Sequence, residues 1–138
     1  MVLDSGLPDA VGDDERLARL VHERSKFNSA GAKPAAFVPP ANGALSVARH
    51  SAEPVEELER LALEYLGGKR AYGAATLLAS EVRTIGLDVL AEEPPPRHAN
   101  ILGWPTSTDE DEQKAQRKLR ALELASKAGW VAFAGGAS

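Results

Sequence analysis

Apolar positions along the 138-residue chain change period several times, and each change marks an element. Leu58, Leu61, Ala62, Tyr65 and Leu66 recur at i, i+3, i+4, i+7 and i+8, which predicts a helix. Ser51, Pro54 and the acids Glu53, Glu56 and Glu57 mark its start, and Gly67-Gly68 its stop. Leu17, Leu20 and Val21 form a narrower stripe behind a cap at Asp13 or Asp14, predicting a short first helix. Leu45, Val47 and Arg49 alternate with their neighbours as a strand does. Ala35-Ala36-Phe37-Val38 reads as its hairpin partner, joined through Pro39-Pro40 and the turn dipeptide Asn42-Gly43.

Further along, Ala74 to Ala79 is apolar without a period and reads as either a strand or the start of a helix. A short helix from Ser80 to Ile85 should stop at Gly86, with Leu87 reaching back to Val82. Strands follow at Leu87–Ala91 and Arg97–Trp104, separated by an extended Pro94-Pro95-Pro96 segment. Ser107 and Glu110 have capping-box spacing before a long helix that is acidic first (Asp109 to Glu112) and basic later (Lys114, Arg117, Lys118, Arg120). Its buried stripe is expected at Ala115, Leu119, Leu122 and Ala125, broadened by Ala121, Leu124 and Ala128. Trp130 to Phe133 is apolar on both faces, as in a covered central strand.

This alternation predicts an α+β (or α/β) fold, one small mixed sheet with helices packed on it; a mostly helical chain is the alternative if the middle segment is helical. A flexible lead-in over 1–12, one globular domain over 13–134 and a tail over 135–138 complete the organisation. Leu58, Leu61, Leu66, Leu119, Leu122, Val131 and Phe133 are the expected core.

Composition then removes chemistry. The absence of cysteine excludes disulfides, thiolate metal sites and thiol catalysis. Sixteen Lys and Arg against 20 Asp and Glu give a net charge of -4, so no nucleic-acid partner is expected. No run of about 18 apolar residues exists to span a membrane, and the start lacks a basic leader, so cytoplasmic residence is the expectation. His22, His50 and His98 stand singly, which predicts no metal site, and no cofactor is implied. The Gly67 to Gly73 loop has glycines and cations but follows a helix C-terminus, where the dipole disfavours phosphate.

Two constellations remain. Arg49-His50 ends a strand just before a helix, where a guanidinium could grip an anion. In Arg97-His98-Ala99-Asn100, His98 and Asn100 share one strand face, with Trp104 as an apolar wall nearby. A small anionic ligand between Arg49, His50, His98, Asn100 and Trp104 requires Arg49 and His98 on the same side of one sheet.

Leu45-Ser46-Val47-Ala48-Arg49, Gly86-Leu87-Asp88-Val89 and Arg97-His98-Ala99-Asn100-Ile101-Leu102-Gly103-Trp104-Pro105 together resemble a group of uncharacterised bacterial proteins of similar length. The resemblance implies a bacterial origin and no particular activity. A fainter likeness, by analogy, is to ADP-ribosyl-transfer and tRNA phosphotransferase folds, although the paired histidines of the latter are missing here. The chain is therefore expected to be an interaction or accessory domain, working with a protein partner or by self-association. A small enzyme or nucleotide- or phosphate-binding domain built on Arg49, His50, His98 and Asn100 is the alternative.

Overall fold

A computed structural model describes residues 3, 5–50, 54–69 and 71–133. Its centre is a six-stranded sheet built from β1 (Arg16–Val21), β4 (Leu45–Arg49), β5 (Gly73–Leu78), β6 (Asp88–Ala91), β7 (His98–Leu102) and β8 (Gly129–Ala132). A hairpin of β2 (Phe27–Asn28) and β3 (Gly31–Ala32) forms a separate two-stranded sheet packed near β5 and β8. Three helices, α1 (Val55–Tyr65), α2 (Ala79–Thr84) and α3 (Glu110–Lys127), pack against this frame. The strand order is β6-β7-β4-β1-β5-β8. Every pairing is antiparallel, so the α+β expectation holds while the sheet is not mixed.

The predicted first helix is strand β1. Its sequence, RLARLV, is made largely of good helix formers, but it lies between β4 and β5 with apolar side chains buried on both faces. A strand covered on both sides loses the alternation that would identify it, and tertiary burial overrides propensity. The predicted strand at 35–38 is a 3-10 helix, Pro34–Phe37, that buries Phe37 in the core. β4 pairs instead with β1 and β7. Ala74 to Leu78 resolves as strand β5.

Two hydrophobic layers follow. Leu17, Leu45, Val47, Leu77, Val89 and Ile101 face α2, α3 and the 3-10 helix. Ala18, Leu20 and Ala74 face the other way, with Leu58 and Ala62 of α1 and Phe133. Several local signals hold: Gly67 (φ 62) and Gly68 (φ 90) close α1, and Gly86 (φ 89) closes α2, with Leu87 N–H donating to Val82 O at 3.3 Å. Ser51 and Glu53, read as part of the α1 start, and the tail at 135–138 lie outside the described residues.

Other expectations are corrected. Asp109, not Ser107, caps α3, accepting from the N–H groups of Asp111 (2.9 Å) and Glu112 (3.2 Å). Pro94 to Pro96 forms a bend with cis bonds before Pro94 and Pro95, rather than an extended segment. β8 is an edge strand and only partly covered. Leu61, Leu66 and Val131 are half-buried rather than core.

The face of α3 is the largest correction. Ala121 and Leu124 are its buried residues, with Ala125 and Ala128 packed alongside, while Leu119 and Leu122 are 57% and 54% exposed. Arg117 turns inward because its Nε donates to the Pro105 carbonyl at 2.9 Å, so a polar side chain occupies a position that a purely apolar periodicity leaves out. Leu124→Ala should therefore cost about 2–5 kcal/mol by creating a cavity, and Leu122→Ala about 0.5 kcal/mol or less. Urea unfolding of the two variants checks this order.

Candidate functional site

The antiparallel register decides which sequence candidates meet. Ala48 lies opposite His98, and Ser46 opposite Asn100, so these four side chains share the α1 side of the sheet. Arg49 alternates with Ala48 and points to the other side. The expected convergence of Arg49 and His98 in one pocket is thus a geometric miss.

Arg49 is 1% exposed, and each of its three nitrogens is hydrogen-bonded. Its Nε and Nη2 donate to the two Glu15 carboxylate oxygens at 2.8 and 2.7 Å, Nη1 donates to Pro8 O at 2.7 Å, and Nη2 also reaches Ala10 O at 3.4 Å. The bidentate fork is the strong form of this pair. Burial alone would raise the Glu15 pKa, but the Arg49 hydrogen bond and charge, with the Gly12 N–H, outweigh it and hold the carboxyl below its ordinary value. Trp104 is buried on the α2 and α3 side, its Nε1–H donating to Ile101 O at 3.0 Å, and so forms core rather than a pocket wall beside His98. His50 lines a small recess of about 70 Å³ with Leu58, Leu61 and Arg97.

His98 is held from two sides. Its Nδ1 lies 2.7 Å from Glu92 O and its Nε2 2.7 Å from Ser46 Oγ. A carbonyl can only accept, so Nδ1 carries the proton, and on the neutral ring Nε2 accepts from the Ser46 hydroxyl. Tyr65 of α1 meets the His98 ring edge-on, with centroids 5.8 Å apart, and donates its own hydroxyl to Pro96 O at 2.6 Å. Burial first, and the Glu93 charge second, push the Tyr65 phenol above its usual range, so it remains a neutral donor. A serine on an oriented imidazole has the geometry of an activated hydroxyl, here with a neutral carbonyl as the orienting group.

Ser46 also lines a cleft of about 130 Å³ between the sheet and the end of α1, with Ala18, Leu20, Ala48, Tyr65 and Leu66 around it. That cleft exists because β1 and β4 pair only at Leu17–Arg49 and Ala18–Ala48 and then separate. Arg19 fills the gap: its Nε donates to Ala36 O at 2.9 Å and its Nη1 to Ser46 O at 3.0 Å. Sequence reasoning missed both Ser46 and Arg19. Ser46 becomes visible only with the β4–β7 register, and Arg19 only once its segment is seen to be a strand rather than the expected helix.

Among the described residues, no group of three His, Asp or Glu could hold a metal ion. No helix of the described residues is long and apolar enough to cross a membrane. Comparison of the chain with family models, with curated proteins and with solved structures finds no match in any of the three.

The buried pair makes a direct prediction. Arg49→Met leaves Glu15 and two carbonyls without their donor and should destabilise the fold by about 3–5 kcal/mol. Because the folded Glu15 pKa lies below its ordinary 4.5, its contribution is complete above that value and lost as pH falls through the folded one. The stability gap between the parent and Glu15→Gln should therefore shrink in acid, read by thermal unfolding across a pH series.

Proposed function

We propose that this protein is an interaction domain that docks through the outer face of α3 onto a second copy of the same chain. The observation that carries the reading is the exposed apolar row on α3: Leu119 and Leu122 with Ala115, at i, i+4 and i+7. Exposed leucines scattered singly need no explanation, but a row at helical spacing is how a docking helix presents anchors. This row is surplus to the domain's own core, which the opposite side of α3 already serves through Ala121 and Leu124.

Charge favours a second copy laid antiparallel. The helix opens with Glu110, Asp111 and Glu112 and has Lys127 in its last turn. An antiparallel pair centred near Leu119 sets the acidic first turn of one helix beside the basic last turn of the other, and opposes the two macrodipoles favourably. Leu119 then meets its own symmetry mate, and Leu122 lies over Ala115 of the second copy, where the small side chain leaves room for it.

Sedimentation equilibrium tests this. The parent should show a reversible dimer, and Leu119→Glu with Leu122→Glu should raise its dissociation constant by about tenfold or more, near 1.4 kcal/mol, with the circular dichroism unchanged. A parent that stays monomeric up to roughly millimolar concentration, the range of the weakest specific contacts, would retire the reading.

A further inference from the structure

A second cleft, of about 300 Å³, opens on the side of the β1–β4 gap bounded by the Pro39–Pro40 loop. Val38, Pro39, Pro40 and Leu45 give it apolar walls, and its charged lining residues are Arg19 and Lys26. We propose that this cleft binds a small carboxylate monoanion, its carboxylate held by the outer edge of the Arg19 guanidinium and by Lys26, and its short apolar part lying on the prolines.

Three observations support the assignment. Arg19 spends two of its five N–H donors, on Nε and Nη1, on the carbonyls of Ala36 and Ser46. The edge formed by the second Nη1 hydrogen and Nη2 remains, and such an edge can meet the two oxygens of a carboxylate. Nη2 makes no hydrogen bond among the described residues, and since no polar side-chain atom there is both fully buried and unsatisfied, it is not completely enclosed.

The charge of Arg19 also lacks a near counterion. Among the described residues, no carboxylate lies within ion-pair distance of its guanidinium. Arg19 is half-buried, and that burial opposes its charge, with only the more distant Glu23 acting the other way. A partly desolvated cation beside an open cleft is stabilised by an anion brought to it.

Local charge selects the valence. Glu23 pairs with Lys26 at 3.2 Å and lies 3.8 Å from His22. Arg19, Lys26 and Glu23 together leave one net positive charge, which suits a monocarboxylate better than a phosphate dianion. Glu23 is thus the internal competitor for Lys26. This site is independent of the docking row on α3.

The test follows the Arg19 Nε–H resonance by NMR while butyrate, and separately inorganic phosphate, is titrated into the full-length protein. Butyrate should move that resonance saturably, and phosphate should bind more weakly. Glu23→Gln, an exposed change that leaves the fold intact, should tighten butyrate binding about two- to fivefold, the span of an exposed charge pair. Lys26→Gln should weaken it by a similar factor. No saturable shift with butyrate, tighter binding of phosphate, or a butyrate affinity indifferent to both Glu23→Gln and Lys26→Gln would each overturn the proposal. Arg19→Lys supplies the last arm: it keeps the charge, loses the fork and should lower butyrate affinity without changing the phosphate response.

Discussion

The buried guanidinium of Arg49 is the constraint on which the arrangement of this domain turns. A charge that is 1% exposed is tolerable only when it is paired and hydrogen-bonded, and here the partners come from distant chain. Glu15, just before β1, supplies both carboxylate oxygens, and Pro8 and Ala10 supply carbonyls. The end of β4, the start of β1 and the N-terminal segment are therefore fastened at one point. Arg83 on α2 repeats the device in the open, bonding Asp13, Asp88 and the carbonyls of Val11 and Val89. Between them, two arginines sew residues 8 to 15 to both the middle and the edge of the sheet.

That fastening also explains where a ligand can be held. Every nitrogen of Arg49 is already bonded within the chain and the side chain is buried, whereas Arg19 bridges separated strands and keeps an edge of its guanidinium uncommitted. The two arginines are of one type and lie on adjacent strands. What separates their chemistry is whether a carboxylate of the same chain reaches them.

How far the sequence could be read follows the same physics. Elements with local punctuation were legible: α1 between Pro54 and Gly67-Gly68, α2 before Gly86, and β4, β6 and β7 by their alternation. Elements defined by what covers them were not. β1 is apolar on both faces and so has no strand period to show, and α3 offers two stripes, of which only the packing partner selects one. At the candidate site, His98 and Asn100 were found together because they are two residues apart on one strand. Ser46 was missed because its contact with His98 depends on a pairing register that spacing along the chain does not encode. Arg49 was recognised as a site for an anion, and the anion is Glu15.

The position of β1 in the sheet carries a consequence for how the molecule comes into being. Among the described residues, the first strand of the sheet is an inner one, flanked by β4 and by β5. Its longer pairing runs from Arg16 opposite Leu78 to Val21 opposite Gly73, so it must wait for a strand made much later in synthesis. Until then, the edge of this apolar strand that β5 will cover is unpaired. Contacts this far apart in the chain form slowly, because a large loop must close before any pairing stabilises it. No N-terminal fragment ending before β5 contains the centre of the sheet. The centre of the sheet can be completed only once the chain through β5 is available.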